Sequence, residues 1–394
     1  MITVDEALER LFALASPIDS EEVELRDAAG RVLRKDAVAT RAQPPFASSS
    51  MDGYALHSSD AKSGAVLEVI GEAAAGHGFS GNVGSGQAVR IFTGAPLPKG
   101  TDHVEIQEDV TRTGEKITLN DPAPPGANVR ALGSDFKIGD RVGAPCRLGP
   151  ADIALLASMN VPKIDVSRRP EVALIATGDE LVMPGEAPSE DQIIASNSLG
   201  LEAMLSQAGA SPRVLPIARD TPESLISAFR FARGADLIVT IGGASVGDHD
   251  LVRQVAGLEG LEQAFYKVAM RPGKPLMAGR LDGTPIVGLP GNPVSSMVCG
   301  CVFLVPMINV MLGLGAAPAP RRTAPLAHDL ADGGPREHYM RASIEGGALR
   351  IFERQDSSLL SVLSQAEALA IQPAGSRARR KGDVIEYLAL DPTA

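Results

Sequence analysis

The stretch Ala235-Asp-Leu-Ile-Val-Thr-Ile-Gly-Gly-Ala-Ser-Val-Gly-Asp-His-Asp250 decides how the rest of the chain is read. Its run from Leu237 to Ile241 is largely apolar and β-branched, which suits a strand buried on both faces. Small residues follow at Gly242, Gly243, Ser245 and Gly247, where a backbone can turn sharply and bring N–H groups close to an anion. Asp248, His249 and Asp250 then precede Leu251-Val-Arg-Gln-Val255, a predicted helix with an acidic N-terminus. Strand, glycine loop and helix in this order seat phosphates at the carboxyl edge of a parallel sheet. Acidic residues beside such a loop imply a bound cation, because bare carboxylates would repel the ligand. On this stretch alone, a tight turn without a ligand explains the residues equally well.

The flanking sequence repeats the rhythm. A strand predicted at 172–176 ends in Thr177-Gly-Asp-Glu180, and Gly209 closes a helix carrying Leu201, Met204, Leu205 and Ala208. A strand at 213–218 runs into Asp220, and Thr221 caps a helix with Pro222 in its first turn. Alternation at this spacing predicts a doubly wound, mainly parallel α/β domain. Glu180, Asp220, Ser245, Asp250 and the Asn292/Ser295 loop all follow predicted strands, so they share the edge where ligands bind in open α/β sheets. Lys267, Arg271 and Lys274 add positive charge nearby in sequence. Carboxylates for a metal, cations for anions and a glycine loop together predict a phosphate-plus-metal site.

Composition bounds the alternatives. The 394 residues carry a net charge of −11, with 44% hydrophobic and 22% charged residues, which argues against nucleic-acid and anionic-membrane partners. Cys146, Cys299 and Cys301 offer neither a disulfide framework nor a zinc spacing, which fits a reducing cytoplasm. The acidic start Met1-Ile-Thr-Val-Asp-Glu6 lacks an apolar signal region and points away from secretion. Residues 294–314 are apolar enough to suggest a membrane span, but Pro306 and Asn309 within them favour a buried crossover helix.

Elsewhere, Thr3-Val-Asp-Glu6 is a capping-box pattern opening a helix. Ser50-Met-Asp-Gly53 sits in a loop rich in Pro and Ser, and residues 60–133 are short β-like pieces cut by Gly and Pro, the texture of a small barrel or sandwich. A last β domain follows Pro320.

Six motifs stand in one order: Ser50-Met-Asp-Gly-Tyr-Ala55, Phe92-Thr-Gly-Ala-Pro96, Ala176-Thr-Gly-Asp-Glu-Leu181, Ile241-Gly-Gly-Ala-Ser-Val-Gly-Asp248, Arg271-Pro-Gly-Lys-Pro275 and Gly288-Leu-Pro-Gly-Asn-Pro-Val-Ser295. In these the chain resembles the molybdopterin molybdenumtransferases, the MoeA and gephyrin E-domain family. The resemblance implies a discontinuous N-terminal domain (1–20, 39–50 and 136–168), an inserted β-barrel-like domain (21–38 and 51–135), the α/β domain (169–318) and a C-terminal β domain (319–394). It implies that molybdenum from molybdate enters adenylylated molybdopterin with release of AMP, assisted by Mg²⁺. It also implies a homodimer with a composite active site, and contacts with an upstream adenylyltransferase and downstream molybdoenzyme chaperones.

Carried over by motif, the resemblance implies catalytic roles for Asp52, Thr93, Asp135, Glu180, Asp220, Asp250, Lys267 and Lys274. It gives the pterin and nucleotide phosphates to Gly242, Gly243, Ser245, Gly247, Pro290 and Asn292. Molybdate would meet Arg271, Lys274, Ser295, Arg341 and Ser357, and Mg²⁺ would meet Asp220 and Asp250. A solvated strand residue is the competing reading for Arg341. Two positions depart from the family: Arg271 stands where Lys is usual, and Ser134 where Glu is common. Two other functions compete, a molybdopterin adenylyltransferase and a non-enzymatic, gephyrin-like scaffold.

Overall fold

The computed structural model describes residues 1–243 and 251–390. Ser245, Gly247, Asp248, His249 and Asp250 lie outside the described residues. The chain divides into two compact units. One comprises Met1–Glu21, Gly30–Arg34 and the chain from Val166 onward; the other comprises Glu22–Ala29 and Lys35–Asp165.

The first unit is built on a six-stranded sheet in the order Ser211–Val214, Glu171–Ala176, Leu237–Ile241, Thr284–Leu289, Met277–Leu281, Leu261–Tyr266. The first four strands are parallel and the last two join by antiparallel pairing, so the sheet is mixed but mainly parallel, with Met277–Leu281 alone running against the other strands. The turn Asp282-Gly283 explains the reversal, since it is too short for a crossover helix and folds Met277–Leu281 back against Thr284–Leu289 as a hairpin. Leu237–Ile241 is buried along its whole length, because helices cover both faces of the sheet. One face packs Leu237 and Val239 against Leu201, Leu205 and the helical run from Pro293 to Met311. The other packs Ile238 against Leu225, Phe229 and Val252.

That helical run is long and apolar enough to cross a membrane, with a mean hydropathy of 2.0, yet 78% of it is buried inside the fold. Core packing accounts for its composition. The helix Val4–Leu14 joins the same core through Ala7, Leu8 and Leu11. Its capping box is formed: the Glu6 N–H donates to Thr3 Oγ1 at 3.2 Å and the Thr3 N–H donates to Glu6 Oε2 at 2.8 Å.

A second sheet in this unit runs Met270–Arg271, Glu337–Glu345, Ala368–Gln372, Val384–Ala389, Arg322–Pro325. Its central strand Ala368–Gln372 is fully buried, with Leu369 and Ile371 in the α/β core and Ala368 and Ala370 in a separate cluster. The second unit carries a six-stranded sheet with Gln87–Ile91 and Val66–Ala73 at its centre and Gly53–Leu56 beside Gln87–Ile91. Both faces are covered: Ala55, Val89 and Ile91 fill one cluster, and Tyr54, Leu56 and Ala88 another.

Candidate active site

The chain leaves Glu171–Ala176 for one neighbour, Ser211–Val214, and reaches Leu237–Ile241 on the other side. The carboxyl ends of Glu171–Ala176 and Leu237–Ile241 therefore diverge at a topological switch point, where loops part and leave a crevice. A cleft of about 950 Å³ opens there, lined by Thr177, Glu180, Asp220, Gly242, Gly243 and Asn292 among others. Gly242 and Gly243 have φ of +93° and +65°. A Cβ on Gly243 would lie 2.3 Å from Val252 Cγ2, so glycine is required for packing as well as for conformation.

The Gly242 N–H is not directed at a ligand. It donates to Leu289 O at 3.1 Å, and the neighbouring Gly178 N–H donates to Ala218 O at 3.1 Å. The first glycine thus serves close approach, since a Cβ there would sit 2.8 Å from Thr177 O. The opposite wall is the start of the buried helix, Asn292 and Pro293, whose positive end faces the cleft. Pro290 lies buried beneath this wall, its carbonyl accepting from Ser296 Oγ.

Glu180 and Asp220 share one rim, together with Asp179, which the sequence reading did not single out. The Asp220 N–H donates to Asp179 Oδ1 at 3.2 Å. Partial burial, then the charges of Asp179 and Glu180, raise the Asp220 carboxyl above its ordinary value. Like charges gathered at a phosphate-sized cleft suit a hard cation with oxygen ligands. Among the described residues no cluster of three metal-ligating side chains stands close enough to hold an ion alone. Mg²⁺ fits nonetheless, because it keeps several waters and takes one or two carboxylates plus substrate phosphates.

The cations predicted for this edge lie elsewhere. None of Lys267, Arg271 and Lys274 lines the cleft. Lys267 adopts φ +71° and sets its ammonium 4.7 Å over the Tyr266 ring. The turn through Gly273 packs on the buried helix, so that a Cβ on Gly273 would meet Cys299 Sγ at 2.5 Å. This turn carries Arg271 to the second sheet, where it pairs with His338 in parallel register.

There positive charge gathers around Arg341, with Arg271 close by. Its side chain is 0% exposed, which removes the reading as a solvated strand residue. Arg341 Nη2 donates to Asp356 O at 2.9 Å, whereas Nε and Nη1 are buried without a partner. Burial and the charge of Arg271 pull the guanidinium pKa down, with Asp356 opposing. Asn292 Nδ2 donates to Ser357 Oγ at 2.8 Å and the Val294 N–H donates to Ser357 O at 3.0 Å, so the loop beneath Arg341 touches the cleft wall. Ser295 is buried in the adjoining helical turn. Sequence reasoning also missed Asn197, whose Nδ2 holds Gly291 O at 2.7 Å across the cleft, and Ser358 on its rim. The clue for Asn197 is a polar Ser-Asn-Ser run opening a helix; for Ser358 we find none.

In the second unit Asp52 and Thr93 come together. Asp52 Oδ1 accepts from both the Thr93 N–H and Thr93 Oγ1 at 2.8 Å, which lowers its pKa. Arg90 stands beside them, its guanidinium 4.8 Å from the Phe92 ring centroid. Asp135 is exposed in the bend before Phe136.

Comparison with known proteins identifies the family. Residues 2–160 match the MoeA N-terminal region (domain I and II), 173–310 a probable molybdopterin binding domain, and 323–390 the MoeA C-terminal region (domain IV). The molybdopterin molybdenumtransferase of Nostoc sp. is 34% identical, covering 99% of this chain and 94% of the relative. That of Haemophilus influenzae is 37% identical over 79% of this chain and 78% of its own length. A crystal structure of a molybdopterin biosynthesis MoeA protein from Pyrococcus horikoshii matches with a TM-score of 0.84 at 30% identity, covering 99% of each chain.

Proposed function

The chain belongs to the molybdopterin molybdenumtransferase family, and from that membership we propose that its cleft takes adenylylated molybdopterin while the Arg341 pocket takes molybdate. It is a transferase of molybdenum cofactor biosynthesis that inserts molybdenum. The observation that supports the division of labour is the Asn292–Ser357 hydrogen bond, which ties the cleft wall to the loop under Arg341. Phosphates and oxyanion would then bind side by side.

The residues suit these tasks. Gly242 and Gly243 let the sheet edge approach a phosphate closely, and the helix end at Asn292 favours its negative charge. Asp220, Glu180 and the Asp250 position would hold Mg²⁺, which supplies Lewis-acid polarisation of the phosphate anhydride and offsets charge on departing AMP. The unpartnered Nε–H and Nη1–H groups of Arg341 supply charged donors that suit a tetrahedral dianion. No protein thiolate is ready to act: burial drives the Cys299 thiol up, and the Cys301 thiol up to about 12. The sulfur nucleophiles are therefore those of the substrate dithiolene.

The deciding experiment supplies adenylylated molybdopterin, Mg²⁺ and molybdate, and follows AMP together with molybdenum-loaded pterin. Coupled appearance of both products is expected. Pyrophosphate formation from ATP and molybdopterin, without molybdenum insertion, would return the protein to the adenylyltransferase reading.

We extend the proposal to a cytoplasmic homodimer in four domains with the boundaries given above. Its composite site joins the Asp52–Thr93 face of one subunit to the cleft of the other, with Asp135, Lys267 and Lys274 as further catalytic groups. Mixing subunits impaired by Thr93→Ala with subunits impaired by Asp220→Asn should raise activity above that of either variant alone, because one intact site can assemble. Mixed dimers no more active than either variant would rule out a shared site.

A further inference from the structure

The helix Asn197–Gln207 begins at the cleft without a cap. No side chain accepts from its first turn, and that turn carries no acidic residue. Its first bond runs from the Gly200 N–H to Ser196 O at 3.1 Å, so the N–H groups of Asn197, Ser198 and Leu199 precede the ladder. Ser196, Asn197 and Ser198 all line the cleft. Water serves many such helix ends, but Ser198 does not fit that account. It is 1% exposed, and its Oγ is buried without a partner among the described residues. Ser198 continues the buried stripe of Leu201 and Leu205, which packs on the sheet. It stands at the end of that stripe where the strand ends Ala176 and Ile241 also line the cleft. A hydroxyl in such a place is costly unless something accepts from it.

The neighbouring groups indicate what accepts. Asn197 Nδ2 donates to Gly291 O at 2.7 Å, so this helix end stands beside the helix end at Asn292 and Pro293. Two helix ends side by side suit two adjacent phosphates, as in a phosphate anhydride. The Asn292 end is tied through Ser357 to the Arg341 side, where the dithiolene must lie to receive molybdenum. The pterin-linked phosphate therefore belongs to the Asn292 end, and the adenylate phosphate to the other. On its far flank the segment leading into Ser198 meets the acidic rim, because the Ile193 N–H donates to Glu180 O at 2.7 Å. We propose that Ser198 and the N-terminus of Asn197–Gln207 seat the adenylate phosphate of the substrate, with the Ser198 hydroxyl donating to it. The inference rests on the reading that the cleft takes adenylylated molybdopterin and that molybdate binds at Arg341.

The test is calorimetric titration of the full-length protein with AMP, adenosine and molybdopterin in the presence of Mg²⁺, together with thermal melting of the unliganded protein. Ser198→Ala should raise Kd for AMP about tenfold, the loss of one hydrogen bond to a charged group. Its Kd values for adenosine and molybdopterin should stay those of wild type. The variant should melt no lower than wild type, because it removes a buried hydroxyl that lacks a partner. A lower melting temperature with equal losses for all three ligands would make Ser198 a support of the fold and overturn its role. Unchanged AMP affinity with weakened molybdopterin binding would exchange the two phosphates and overturn the assignment. Unchanged affinity for both would overturn the Ser198 seat and leave the cleft reading standing. Wild type that binds neither AMP nor molybdopterin would overturn the cleft reading itself.

Discussion

The cleft at the sheet edge and the pocket around Arg341 meet anionic chemistry with opposite charge. At the cleft, Asp179, Glu180 and Asp220 gather on an exposed rim, and their mutual repulsion pushes the Asp220 pKa up. On the second sheet, Arg341 is fully buried, and positive charge from Arg271 lies close to it. The difference in burial ranks them. Water screens the rim, so a cation there exchanges freely and each carboxylate contributes modestly. Around the buried Arg341 the effective dielectric is lower, and every contact to a dianion counts for more.

The largest effect should therefore follow from the buried cation. Arg341→Ala removes buried charged donors and leaves the dianion poorly compensated. It should raise the molybdate concentration for half-maximal cofactor formation about a hundredfold, a loss of about 2.7 kcal/mol. Affinity for adenylylated molybdopterin should change little, because that ligand occupies the other site. Arg341→Lys should fall between, keeping charge but losing the fork. Superimposable molybdate titrations for wild type and Arg341→Ala would erase the contrast between the two regions.

The next effect belongs to the rim. Asp220→Asn should leave the fold intact and slow AMP release at saturating substrates at least about tenfold, about 1.4 kcal/mol in the barrier. Asp250→Asn should behave alike if that residue completes the cation site. Added Mg²⁺ should recover part of the Asp220→Asn rate, since a weakened site fills again by mass action. Near-normal release at limiting Mg²⁺ would detach the carboxylates from the chemistry.

The same contrast explains what could be read in the sequence. The cleft follows from local signals: Leu237–Ile241 is β-branched, Gly242 and Gly243 punctuate it, and strand ends share an edge by topology. The pocket depends on pairing at a distance. Arg271 and His338 are far apart in the chain and meet only through strand register. The central strand Ala368–Gln372 hides because Ala, Leu and Gln favour a helix locally, and only burial on both faces makes it a strand. Lys267, Arg271 and Lys274 do not line the cleft itself, and Arg271 joins the second sheet, because sequence proximity does not fix which sheet a turn joins. The role expected of the Gly242 N–H fails through backbone pairing to Leu289 that no local pattern announces.

The smallest effect concerns stability, and its sign separates a strained rim from an ordinary surface. The folded-state pKa of Asp220 lies above its unfolded value, so the folded protein holds that proton more tightly than the unfolded chain. The resulting contribution to stability is present below the unfolded pKa and is lost as pH rises through the folded one. At neutral pH the ionised carboxylate is thus a liability that Asn lacks. Without divalent cations, Asp220→Asn should melt slightly higher than wild type at about pH 7, by about 1–2 °C given the exposure of the rim. The difference should vanish below about pH 4, where the unfolded carboxyl is protonated as well. Mg²⁺ should reverse the order at neutral pH, because binding to the native state raises the melting temperature of wild type more than that of the variant. Scanning calorimetry with and without Mg²⁺ at the two pH values measures all three differences. An Asp220→Asn protein that melts lower than wild type in the absence of cation would mean that the rim is internally compensated, and the two regions would no longer stand as electrostatic opposites.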